Sequence, residues 1–511
     1  MFVPVAEWLP DQPPFNNPGG NRAFNVIPGY NCYEPMPAMT LKATGPTGEI
    51  LGSINARDQA NNNYTYCGDV SALYVQSGVS LVPVTKVSAT YAVANQDTWE
   101  FVPWNQTVIA TNGTDPMQVI SLGAANFVDL GGGSPKARHL AIINNFVVAG
   151  NISDSATQVQ RVRWSALNNS GSWTQDATVL ADLQDLPGDG GWVQKIVGGE
   201  QGGFVFQERK IWAMNFVGSP LIFQFNPIHQ NVGAYAAQSV INFENLIYFL
   251  ADSGFYSFDG TNVTPIGQGK VDKTFFADLD TSNIANIRAA IWPEKKLVMW
   301  AYPGIGNVGG RPNHIMVYSW QYQRWSRIDI PQAFDSGSIS HIALTATPGV
   351  TLEGLDAYCA SNIDALVISM DDRSWTGGQL IFSAFSGGSL YYWNGTAMSA
   401  DVETTELNPQ MQIYPNVMMQ QNDNIRLFSQ INEVWPAVDG LSQSAVAIAI
   451  SSRAKLTDPI SEGQAMSPIS AGFVESRLVN RFFRFRMTTD GATDFNFIQG
   501  VDIQFEGAGK R

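Results

Sequence analysis

The chain has 511 residues, a net charge of −15 at neutral pH, and only 14% Asp, Glu, Lys and Arg. A length well past the roughly 250–300 residues at which one core stops growing calls for several domains or a repeat. The acidic balance argues against strong direct binding to nucleic acid, whose affinity comes mainly from cations displacing counterions at phosphates; Cys32, Cys67 and Cys359, odd in number and widely spaced, suggest neither a disulfide framework nor a structural zinc site.

The first residues, MFVPVAEWLPDQPP, lack a basic segment followed by an apolar core, so no secretory signal is expected. No uncharged apolar run approaches the length of a membrane span. Residues 1–30 carry Pro4, Pro10, Pro13, Pro14, Pro18 and Pro28, which forbid a regular helix and interrupt ladder pairing. They read as an extended arm anchored by Trp8, Phe15 and Phe24 along a surface, its own or a neighbour's.

Residues 31–400 read as a β-propeller. The unit is clearest in 241–267, INFENLIYFLADSGFYSFDGTNVTPIG, where apolar runs are punctuated by Glu244-Asn245, Asp252-Ser253-Gly254 and Asp259-Gly260. Short turns of this kind pair each strand antiparallel with its neighbour, and a lone meander with two apolar faces needs a sheet on each side. Leu390-Tyr391-Tyr392-Trp393-Asn394-Gly395-Thr396 repeats the pattern of Phe255 to Thr261, and His139 to Asn151 forms a hairpin around Asn144-Asn145. Looser echoes drift around the roughly 40–50 residues of a blade, giving about six to eight blades. Lys270 to Leu279, with Val271, Phe275, Phe276 and Leu279 at helical spacing, is the best short helix. The Asn-x-Ser/Thr triplets at Asn105, Asn151 and Asn394 read as turn chemistry.

Residues 401–511 change character. Val446 to Ile450, Phe483 to Met487 and Val501 to Phe505 alternate with period 2, the sign of strands covered on one face only and hence of a separate β-sandwich-like domain. Arg477, Arg481, Arg484 and Arg486 concentrate positive charge there; alternation sets Arg484 and Arg486 opposite Phe483 and Phe485, pointing outward as a solvated face or as a patch for carboxylates or phosphates.

Catalytic motifs are missing. Gly304-Ile305-Gly306-Asn307-Val308-Gly309 matches a dinucleotide fingerprint in letters, but Gly310-Arg311-Pro312-Asn313 cannot open the required helix. His139, His229, His314 and His341 share no metal spacing, and Asp182, Asp185 and Asp189 do not follow a calcium loop. No enzyme, cofactor or metal role is expected.

An ordered series runs through the chain: Trp8-Leu9-Pro10-Asp11-Gln12-Pro13, Asn25-Val26-Ile27-Pro28, Tyr33-Glu34-Pro35, Phe146 to Asn151, Val162-Arg163-Trp164-Ser165, Gly254 to Gly260, Pro265-Ile266-Gly267, Arg481-Phe482-Phe483-Arg484 and Gly507-Ala508-Gly509-Lys510-Arg511. With it the chain resembles the propeller-bearing tail hub or nozzle proteins of short-tailed bacteriophages, including those called packaged-DNA stabilisation proteins. The resemblance implies a structural virion protein, made in the host cytoplasm and placed in the viral tail. It implies a hexameric ring below portal and adaptor, with propellers outward, tail fibres or spikes attached, and double-stranded DNA passing through the lumen without sequence-specific binding. The interface residues expected on this reading are Trp8, Phe15, Arg477, Arg481, Arg484 and Arg486. The rival is a carbohydrate-binding or glycan-cleaving propeller, a receptor-binding tail protein with exposed aromatics near Trp393 lining sugar sites.

Overall fold

The structure, a computed structural model, describes residues 1–13, 17–154, 157–199, 202–347, 378, 380–410, 427–440, 445–491 and 494–510. Phe15 and Cys359 lie outside the described residues. The described residues are nearly all β. They form six four-stranded sheets, a six-stranded sheet and a nine-stranded sheet whose first four strands repeat the same antiparallel meander. The helix expected near Lys270 is present as Asp272–Asp278.

Local chemistry explains the meanders. Asp259 accepts from the backbone N–H groups of Thr261 and Asn262 at 2.9 and 2.6 Å, closing the turn after Gly254–Phe258. Asn144 and Asn145 sit at φ 45° and 62°, the left-handed pair that a two-residue hairpin between Ala137–Ile143 and Phe146–Ser153 requires.

Each meander opens with an inner strand: Gly52–Arg57, Glu100–Trp104, Ala137–Ile143, Val193–Gly198, Ile241–Phe243, Arg288–Trp292 and His341–Ala346. Neighbouring inner strands touch, with the 3-10 turn Ala237–Ser239 intervening before Ile241–Phe243, and His341–Ala346 returns to Gly52–Arg57. The circle is a β-propeller. Its cores lie between adjacent meanders: Phe146, Trp164, Val205 and Trp212 fill one gap, Phe206, Phe249 and Phe258 the next. Each such side chain, buried between two sheets, contributes about 1.5–3 kcal/mol. The last meander borrows its outer strand from the start of the chain, with Pro37–Ala43 pairing Ser389–Ala397 in the register Thr40↔Tyr392 and Met39↔Trp393.

The arm is woven into the molecule. Phe24 of Ala23–Phe24 pairs parallel with Arg327, and Ala23 pairs antiparallel with Val402, so two residues carry the propeller sheet into Asp401–Glu403, Phe482–Thr489 and Val446–Arg453. Phe2–Pro4 and Tyr33–Pro35 pair with Phe497–Lys510 in the six-stranded sheet. The two sheets share a core through Val3, Ile431, Ile448, Phe483, Phe485 and Ile503, continuous with Trp300 and Trp325 of the propeller. The expectation of strands covered on one face only holds for Val501–Phe505, where Val501 and Ile503 are buried and Asp502 and Gln504 exposed, and fails for the other two strands. Val446–Arg453 and Phe482–Thr489 are buried almost throughout: on the face turned away from this core the arm reaches Glu403 beside Phe482–Thr489, with Gly20 on the Glu403 carbonyl and Asn21 N–H donating to Glu403 Oε2 at 3.1 Å, while Arg453 is met by Glu406 and the Leu456 carbonyl and Ser452 pairs with Ser461.

Arg324 pins the arm. Its buried guanidinium donates to the carbonyls of Gly29 (2.9 Å), Tyr30 (3.1 Å) and Ala6 (3.0 Å) and to Tyr33 Oη (3.3 Å), and lies 4.9 Å over the Tyr33 ring. Only a planar fork reaches these acceptors together. Arg324→Lys is therefore expected to loosen the arm and speed limited proteolysis between residues 17 and 36 by about tenfold or more, since hydrogen bonds from a charged donor contribute about 1.5–3 kcal/mol each.

Asp272 provides a pH signature. Its side chain is buried beside Gly254 and Gly267 and accepts from Phe255 N–H at 3.2 Å. Burial, then the nearby Asp11 charge, pushes the carboxyl up to about 6. Because the folded state holds this proton more tightly than the unfolded chain, stability falls as pH rises from about 4 through about 6 and is level above. Asp272→Asn should abolish that fall and raise the melting temperature at pH 8, measured against the parent chain across the pH range.

Candidate functional site

The residues expected to meet partners are dispersed. Trp8 is 1% exposed, donates Nε1–H to the Asn21 carbonyl at 3.0 Å and meets Phe24 edge-on at 5.9 Å, so it anchors the arm to its own chain. Arg484 does not point outward: it is 4% exposed and faces Glu403, with Nη1 to Oε2 at 3.4 Å. Alternation did put it opposite Phe485, but that opposite face is the one covered by the arm. Burial pushes the Glu403 carboxyl above its ordinary range, partly offset by Arg484. Arg486, one-third exposed, makes a two-pronged pair with Asp401 at 2.7 and 2.7 Å. Arg481 lies over the Phe428 ring at 4.6 Å, and Arg477 is exposed. The expected outward patch of four guanidiniums thus divides into two committed ion pairs, one stacked cation and one open one.

Breaking one half of a buried ion pair leaves an uncompensated charge. Arg484→Ala should destabilise the fold by about 3–5 kcal/mol, whereas Arg484→Met combined with Glu403→Gln should recover most of that loss; calorimetric melting of the two variants checks the difference.

The propeller channel gathers charge that the sequence did not advertise. Glu100, 6% exposed, lies against His139 Nδ1 at 3.0 Å through one oxygen and accepts from Lys195 Nζ at 2.9 Å through the other, linking three consecutive meanders. Burial alone would raise the Glu100 carboxyl, but Lys195 and His139 more than offset it and hold it at about 2. Across the ring Arg288, 3% exposed, donates Nη1–H to the Ile287 carbonyl at 3.0 Å, and its buried Nε meets no partner among the described residues. Burial lowers it to about 10. Burial, then Arg288 and Lys195, pushes His341 down to about 3, so its imidazole is neutral at physiological pH, with Nδ1 unpartnered among the described residues. Glu100, Arg288 and His341 are each the first residue of an inner strand. That shared position is the signal in the sequence, readable only once the repeat register is known.

Above this charged ring the loops before several inner strands enclose a cavity of about 530 Å³, bordered by Asn95, Asp97, Arg138, Trp192, Gln194 and Gln238. A second cavity of about 570 Å³ continues along Glu100, Lys195 and Asn242. Elsewhere His314 Nδ1 meets Asp278 at 2.8 Å, His229 meets the Thr261 carbonyl at 3.0 Å, and Asp185 and Asp189 pair with Arg161 and Lys210. No cluster of three or more metal-ligating side chains occurs among the described residues. Trp393 is 2% exposed and packs on Phe382, so it does not line a sugar site. No helix among the described residues is long and apolar enough to cross a membrane.

No family model matches the chain, and no curated protein matches it. Among solved structures it is similar to the extracellular domain of a hybrid two-component system protein from B. thetaiotaomicron, at 10% identity and TM-score 0.43, covering 86% of this chain but only 48% of that one, so this chain spans less than half its length. It is also similar to the virginiamycin B lyase of Staphylococcus aureus (8% identity, TM-score 0.39, 70% and 98% of the two chains) and to the Pan2 WD40 domain of Neurospora crassa (9%, 0.36, 68% and 89%).

Proposed function

We propose that this chain is a structural virion protein of a bacteriophage tail: a hub or nozzle subunit that assembles as a closed, hexameric ring below portal and adaptor, retains and then channels packaged DNA, and anchors tail fibres or spikes. On this reading the six four-stranded sheets and the matching start of the nine-stranded sheet, seven in all, are seven blades. The sheets of residues 401–511, completed by arm strands, form the ring-making platform. The role is mechanical, with no bond-making step.

The observation that carries the reading is the continuity of backbone pairing from propeller to platform through Ala23–Phe24. A component that transmits load between neighbours needs its modules joined without a hinge, and a shared sheet with a common core supplies that. Several residues that carry the resemblance have framework positions here: Trp8 and Tyr33 are buried, Phe146 to Val148 are core, and Asp259 closes a turn. The net charge of −15 suits a wall past which a polyanion slides.

Closed rings arise when one heterologous contact repeats until it meets itself. Native mass measurement of the purified chain, alone and with portal and adaptor, should therefore give a discrete species of six copies. A monomer under every assembly condition, or clear glycan turnover by the chain, would overturn the proposal.

A further inference from the structure

We propose that the mouth of the propeller channel binds a neutral saccharide of one or two rings. The inference does not depend on the ring assembly, and it places sugar recognition far from Trp393.

The wall of the 530 Å³ cavity is rich in hydrogen-bonding groups with little net charge. The amides of Asn95, Gln194 and Gln238 and the hydroxyls of Thr98, Thr281 and Ser282 line it. Such groups donate and accept in close alternation, as vicinal sugar hydroxyls do. The charged groups turn ions away or cancel. Arg138 donates Nε–H to Asp97 Oδ1 at 2.7 Å, so this pair offers no free counter-charge, and Glu208 on the rim opposes an anion.

One feature of this wall then points to a ligand. Trp192 is 46% exposed at the same cavity although its ring is braced, with the Arg138 guanidinium 5.5 Å over it and Arg138 itself held by Asp97 and by Asn151 Oδ1 at 3.1 Å. A fixed, half-open indole beside amides is an apolar plate with polar edges, which fits the C–H face of a pyranose and its ring of hydroxyls. On the lip between Asn95 and Asp97, Gln96 occupies φ 70°, a strained backbone state for a non-glycine residue. The cavity volume falls within the range of roughly 300–1,000 Å³ typical of small-ligand sites.

Saturation-transfer NMR on the full chain tests this with lactose, maltose, cellobiose and N,N′-diacetylchitobiose as probes. At least one sugar should receive saturation, and Trp192→Ala should weaken its binding by about tenfold or more and Gln194→Ala by about threefold or more, with both variants melting as the parent does. Trp192 is open enough to be truncated without a packing defect, and the Gln194 side chain makes an exposed contact to Glu208 at 3.5 Å. Absence of transfer to all of these sugars, or transfer unchanged in both variants, overturns the proposal.

Discussion

A single buried cation organises the molecule. Placing the Arg324 guanidinium in the interior is unfavourable unless its donors find acceptors, and the acceptors it finds belong to residues 6, 29 and 30 of the arm and to Tyr33 just beyond it. The path of the arm follows from that requirement. With its two ends fixed around Arg324, the arm, with Tyr33–Pro35 just after it, supplies Phe2–Pro4, Ala23–Phe24 and Val26–Pro28 to sheets whose other strands lie hundreds of residues away. A segment rich in proline suits this work, since it pairs for two or three residues and then turns.

What was legible in the sequence is what is decided locally. Asx-Gly turns and apolar runs foretold the meanders, because Asp259 and Asn144-Asn145 close their turns with groups a few residues apart. The helix at Asp272–Asp278 was likewise visible in the spacing of Val271, Phe275 and Leu279. What was not legible depends on long-range contact. Period 2 distinguishes the two faces of Phe482–Thr489, yet it cannot say that a second layer, contributed by residues near 20, covers the face bearing Arg484. The channel charges escaped for the same reason: Glu100, His139 and Lys195 become neighbours only when three meanders are set side by side. Trp393 looked like a surface aromatic because its turn is polar, but the ring belongs to a strand packed between blades.

The channel chemistry is that of groups holding one another. Glu100 is kept ionised by partners from the next two meanders, so the acid serves as a rivet between the sheets. His341 and Arg288 stand on neighbouring inner strands, each with a nitrogen that no acceptor among the described residues meets. Such a ring fits a scaffold whose axis is structural while its mouth, ringed by loops, is free to vary in composition.

Pairing of Pro37–Ala43 with Ser389–Ala397 has a temporal consequence. During synthesis the early strand leaves the ribosome with no ladder partner, and at roughly 5–20 residues per second the sequence that completes its sheet follows about 20–70 seconds later. For that interval a nascent edge is open to any other strand, including one from a neighbouring polysome product. Lys42 on this strand, and the prolines around it, are the kind of gatekeepers that keep an orphan edge from finding the wrong mate.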